Sequence, residues 1–83
     1  MPAITRFRGL NIGIYTADHR PAHVHVEGAG LLIVFYLNCW TGPVAIRESY
    51  GANSKTEKQV ANFLNENLQL LCTAWENFHG DPT

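Results

Sequence analysis

Apolar and polar positions alternate over two stretches, and then the period changes. Leu10, Ile12 and Ile14 alternate with Asn11, Gly13 and Tyr15; Val24 and Val26 alternate with His23, His25 and Glu27. Successive side chains of a strand point to opposite faces, so each stretch reads as a strand with one apolar face. Thr16 to Ala22 connects them, and Pro21 biases Arg20 towards extended backbone. Gly28-Ala29-Gly30 suits a tight hairpin. Leu31 to Leu37 is apolar throughout, the pattern of a central strand covered on both sides. Ile4 to Phe7 reads as an extended lead-in, and Gly42-Pro43 as a breaker. Val44 to Glu48 suggests a short fourth strand at an edge, and Ser49 to Asn53 a loop.

From Ser54 the spacing becomes helical. Ser54 and Glu57 have the separation of a capping box, and His79-Gly80-Asp81-Pro82 carries stop signals. Val60, Phe63, Leu64, Leu68, Leu71, Trp75 and Phe78 recur on one side. This predicts one amphipathic helix, or two with a kink near Asn65-Glu66-Asn67. Strands grouped first and helix last indicate an α+β fold. The expectation is a single domain over residues 1–83, with a β-meander over 1–50 and a helical part over 54–79. The meander forms a small antiparallel sheet of three to four strands, with one long or kinked C-terminal helix across one face. Leu10, Ile12, Ile14, Phe63, Leu71 and Trp75 are the expected core.

One helical stripe covers only one sheet face. The other parity of the Leu31–Leu37 run then lacks a cover, and Leu32, Val34, Tyr36 and Trp40 become interface candidates. Composition strengthens this point: apolar residues make up 46% and charged ones 16%, a low charged share for so small a chain. A homodimer or a small protein partner is expected. Net charge is −1 without a basic run, so nucleic acid is not an expected partner. Cys39 and Cys72 sit in apolar surroundings and read as buried free thiols. A basic-then-apolar leader is missing and the longest apolar run is too short to span a bilayer, so a cytoplasmic protein without membrane contact is expected.

Candidate chemistry gathers in Asp18 to Glu27. Three of the four histidines fall there, and the period of two sends His23 and His25 to one face, with His19 in the turn before them. Two imidazoles at i and i+2 can hold one divalent, zinc-like ion with His19 or Glu27 as a further ligand. Asp18 can orient His19, although such sequence neighbours more often form an Asx-type turn. Against this stand a structural role, in which the histidines lock the hairpin by hydrogen bonds or touch a partner, and a lesser acid–base reading. Ser49, Ser54, Cys39 and Cys72 lack the context of an activated nucleophile, and no glycine pattern matches a phosphate loop.

Met1-Pro2-Ala3-Ile4-Thr5-Arg6-Phe7 and Asp18-His19-Arg20-Pro21-Ala22-His23-Val24-His25-Val26 resemble a family of short bacterial proteins known only as a domain of unknown function (number 4160). That family opens with Met-Pro-x-Ile-x-Arg-Phe and carries an Asp-His-x-Pro-Pro-His-Phe-His-Val type segment. It ends in a helix with a tryptophan after a Leu-Leu pair; here Trp75 and Leu70-Leu71 or Leu71-Cys72 take those places. The likeness is close over residues 1–27 and looser over 60–76. Ala22 and Val24 depart from the pattern, and Leu31 to Ser49 is more apolar than is usual in the family. The resemblance implies a small bacterial or phage protein that works through a partner, since the family's genes often sit in pairs similar to toxin–antitoxin loci.

Two functional classes follow. The first is an interaction protein, either a toxin–antitoxin-like component or an inhibitor of a bacterial defence system. The alternative is a metal-dependent enzyme, a hydrolase or nuclease, using His19, His23 and His25.

Overall fold

In the computed structural model, which describes residues 3–83, an antiparallel sheet of five strands is covered on one face by two helices. The strands are β1 (Ala3–Phe7), β2 (Leu10–Gly13), β3 (His23–Gly28), β4 (Leu31–Tyr36) and β5 (Ala45–Tyr50), and they lie in chain order. The helices are α1 (Ser54–Glu66) and α2 (Leu68–His79). The α+β class and the antiparallel sheet are as expected, but the strand count is five, not three to four. The expected lead-in is a full strand: Thr5, Arg6 and Phe7 pair with β2, and the Phe7 ring stacks on Phe63 at 4.6 Å. At the far edge β5 runs into the expected loop, because Ser49 and Tyr50 still pair with Ile33 and Leu32. Met1 and Pro2, the start of the family-like opening, lie outside the described residues.

The β3–β4 hairpin closes on Ala29-Gly30, both at positive φ (49° and 77°), the hand that matches strand twist. Gly51 permits a close backbone approach: a Cβ there would lie 2.5 Å from the Gly30 carbonyl oxygen.

The N-cap of α1 is Asn53, one residue before the expected Ser54. Its side-chain oxygen accepts the Thr56 N–H at 2.8 Å. Glu57 does not close a capping box with Ser54; it accepts the Ser49 hydroxyl at 2.7 Å and ties α1 to β5. The helical stretch is split into two at Asn67, inside the expected kink region Asn65-Glu66-Asn67, and Asn67 caps both helices at φ −112° and ψ 20°. Its side-chain amide donates to the Phe63 carbonyl at 2.9 Å, a local bond that competes with helix continuation.

The core lies between sheet and helices. Ile12, Ile14, Val24, Val26, Ile33 and Phe35 meet Val60, Leu64, Leu71 and Trp75, all essentially without solvent exposure. Leu10 is buried as well. Phe63 is a correction: it is half-buried at the margin, where it faces Phe7 rather than the centre. Phe78 and Leu70 are exposed. In β4 the two parities separate. Ile33 and Phe35 face the helices with Leu37, while Val34, between His25 and Glu48 in the register, is 1% exposed on the opposite face. Leu32 and Tyr36 are half-buried there. Trp40 is half-buried against the core, and its carbonyl accepts from Gln69 at 3.0 Å.

Cys39 and Cys72 are joined as a disulfide, with Cα atoms 5.9 Å apart, so the expectation of free thiols fails. The chain leaving β4 returns over α2 and sets the two side chains in bonding position, a pairing across 33 residues that local context does not announce. Among the described residues no helix is long and apolar enough to cross a membrane.

Candidate metal centre

β3 starts at His23, and its period of two places His23 and His25 on the face opposite Val24 and Val26, with ring centroids 5.3 Å apart. The 14–22 connection folds back over them. Its turn is closed reciprocally: the Asp18 N–H donates to the Tyr15 carbonyl at 3.1 Å, and the Tyr15 N–H donates to Asp18 Oδ2 at 2.9 Å. The C-terminal residues clamp this connection. The Ala22 N–H donates to the Pro82 carbonyl at 3.0 Å, and the His79 Nε2–H donates to the Tyr15 carbonyl at 3.0 Å. Trp75 carries the clamp into the core, with its ring 4.5 Å from His79 and 5.3 Å from His23.

The Asp18 carboxylate is thereby held against both imidazoles. His25 Nε2 lies 3.2 Å from each of its oxygens, and His23 Nε2 lies 3.4 Å from Oδ1. The three side chains are only 6% to 16% exposed. Each offers one ligand atom, and these atoms all lie within 4.8 Å of one another.

The tautomer of His23 is fixed by its surroundings. Nδ1 lies 2.9 Å from the Pro21 carbonyl oxygen, which can only accept, so Nδ1 carries the proton and donates. Nε2 then meets the Asp18 carboxylate as a lone pair when the ring is neutral and as a donor when it is protonated. Burial alone would push the Asp18 carboxyl up. The Tyr15 backbone N–H, the His25 hydrogen bond and the two imidazole charges outweigh it and hold the group below its ordinary range. Asp18 is therefore a carboxylate at neutral pH, and a proton or a cation is needed to reconcile it with His23.

The expected site residues are only partly brought together. Asp18, His23 and His25 converge, with Asp18 as a ligand candidate in its own right rather than a support for His19. His19 is exposed and is not among the converging groups; it lines the clefts outside them. Glu27 is drawn away by the Tyr15 hydroxyl, which donates to it. That bond, then burial and the Glu27 and Asp18 charges, pushes the Tyr15 phenol up to about 12. The Tyr15 ring also packs edge-on against His25 at 4.3 Å.

Two clefts open beside the carboxylate. The larger, about 710 Å³, is an open depression walled by Asp18, His19, Arg20, Pro21, His79 and Thr83. The smaller, about 330 Å³, adds Ala17, His23, Tyr36 and Arg47 to the Asp18–Pro21 ridge. His79 and Arg47 reach the site from positions far along the chain, and no local pattern marks them. Two imidazoles and one carboxylate with room for a further ligand match the donor set of zinc-type centres that keep an open position. The Pro21 carbonyl supplies the outer hydrogen bond that ligating histidines commonly make.

Comparison with curated proteins and with solved structures gives no match. A family model described as a domain of unknown function, DUF4160, matches residues 9–76, a span that holds β2 to β5, the three converging side chains and most of α2. On that match the chain belongs to the DUF4160 family of unknown function.

Proposed function

We propose that Asp18, His23 and His25 bind one divalent, zinc-like cation and that the protein is a small metal-dependent hydrolase. The observation that supports this most is the convergence of one ligand atom each from Asp18, His23 and His25, all within 4.8 Å of one another, with the other nitrogen of His23 already donating to Pro21. The three groups would hold such a cation beside the clefts that Asp18 lines. Such an ion would polarise a bound ester and lower the pKa of a bound water. The residues around it orient the ligands and restrict solvent. A cytoplasmic location belongs to the same proposal.

Zinc titration of chelator-stripped protein by calorimetry tests the reading. Wild type should show one saturable site, weakened more than about 100-fold by His23→Gln or Asp18→Asn. His19→Gln and Glu27→Gln should bind as wild type. Equal zinc affinity in all of these proteins would refute the ligand assignment.

A second reading, an interaction protein of the toxin–antitoxin or inhibitor kind, is favoured by β5. This edge strand exposes Ile46 (43%) and Tyr50 (60%), and an open edge accepts a strand from a partner or a second copy. Light scattering across a concentration series, with and without Ile46→Lys, tests it. A shift from dimer to monomer in the variant supports self-pairing, and a monomer at every concentration removes the homodimer.

A further inference from the structure

We propose that the smaller cleft is an oxyanion site, and that the substrate is a phosphate ester; the catalytic part of this rests on the metal reading above. The starting point is a break in the sheet register. Val34 faces Glu48, but the next residue of β4, Phe35, faces Ile46, so Arg47 is the extra residue of a bulge. In an unbroken register Arg47 would stand opposite Phe35, on the face that the helices cover. The bulge puts Ile46 opposite Phe35 instead, where it stays 43% exposed at the sheet edge, and Arg47 joins Tyr36 and His23 in the wall of the cleft.

The charge of that wall is one-sided. Arg47 and Arg20 line it, and the one carboxylate is Asp18, which is turned to the histidines. Among the described residues no acidic group pairs with Arg47. Arg20 meets Asp81 at 3.4 Å, but both side chains are well exposed, and such a pair exchanges readily for a better anion. A guanidinium presents a planar fork of donors that fits phosphate oxygens two at a time. The whole chain carries a net charge of −1, so this is a local feature and not the edge of a basic surface.

The volumes fit a divided substrate. The 330 Å³ cleft is at the small end of ligand sites and has ample room for a phosphoryl group. It meets the 710 Å³ depression along Asp18 to Pro21, which would take the rest of the ester. Asp18 and His23, two of the three groups that would hold the ion, line this same cleft with Arg47.

The test uses inorganic phosphate and, separately, acetate, because a carboxylate is the other oxyanion a guanidinium fork accepts. Each is titrated at constant ionic strength into the full chain, with and without zinc, and the backbone amide shifts of Tyr36 and Arg47 are followed. Phosphate should saturate, and Arg47→Gln should weaken it by at least about tenfold while zinc affinity stays within about twofold of wild type. Arg6→Gln, a change of equal charge on β1, should bind phosphate as wild type. Phosphate binding that ignores Arg47→Gln, or that falls equally in Arg6→Gln, overturns the site. Acetate binding as tight as phosphate overturns the substrate class. Loss of phosphate in Arg47→Gln in a protein that binds no zinc upholds the oxyanion site and removes the metal centre.

Discussion

His23 and Asp18 face one another at 3.4 Å, although the only proton of a neutral His23 is committed to the Pro21 carbonyl on the far side of the ring. The fold imposes this contact from both directions. Asp18 is fixed by its reciprocal turn with Tyr15, and His23 by its place at the head of β3 and by Trp75 behind it. The ordered clamp through His79 and Pro82 keeps the connection from relaxing away.

A cation that binds the folded chain and not the unfolded one adds stability by mass action. At 100 times its Kd the gain is about 2.7 kcal/mol. Zinc should therefore raise the melting temperature of wild type and leave Asp18→Asn unmoved, as read by circular dichroism. Asp18→Asn keeps an oxygen for the Tyr15 N–H, so the variant should fold without metal.

The Tyr15–Glu27 bond has its own pH signature. With its phenol raised to about 12, Tyr15 contributes stability that is fully present below the ordinary phenol value near 10 and is lost as pH rises through 12. Ultraviolet titration should show a tyrosinate step near 12 that disappears in Tyr15→Phe and moves down in Glu27→Gln. A step that stays in place in Glu27→Gln would show that the carboxylate is not its cause.

The disulfide closes a loop of 33 residues between the end of the sheet and α2. Chain entropy assigns such a loop about 3–4 kcal/mol. Reduction, or Cys39→Ala with Cys72→Ala, should lower unfolding free energy by that order in urea titrations. An unchanged midpoint would mean that the thiols are unpaired in the folded protein in solution.

Helix entry provides a local check. Asn53→Ala removes the acceptor for Thr56 and should cost about 1 kcal/mol, whereas Ser54→Ala should cost little. At the centre of the core, Trp75→Ala should cost about 3–5 kcal/mol. Equal effects of the Asn53 and Ser54 changes would return the cap to Ser54.

Much of the fold was legible because alternation and helical period are properties of neighbours. Ile12, Val24 and Leu71 declare their burial by spacing alone, and Gly28-Ala29-Gly30 declares its turn. β1 was not legible, since its hold on the sheet includes Phe7 meeting Phe63, a contact across most of the chain. Cys39 and Cys72 failed for the same reason. In the site, the shared face of His23 and His25 follows from parity, but the choice of Asp18 over His19 depends on a turn whose closure only the folded backbone reveals. Arg47 was hidden by the bulge, because simple alternation in register with Glu48 and Val34 sends it to the wrong face.

X-ray absorption at the zinc edge of the loaded protein is the most direct measurement of the proposed centre. Ligation by Asp18, His23 and His25 requires two imidazole scattering patterns and nitrogen or oxygen neighbours at about 2.0–2.2 Å, with no sulfur. Both imidazole patterns should weaken to one in His23→Gln. Sulfur at about 2.3 Å, or an imidazole count that His23→Gln leaves unchanged, would place the ion elsewhere and contradict the centre.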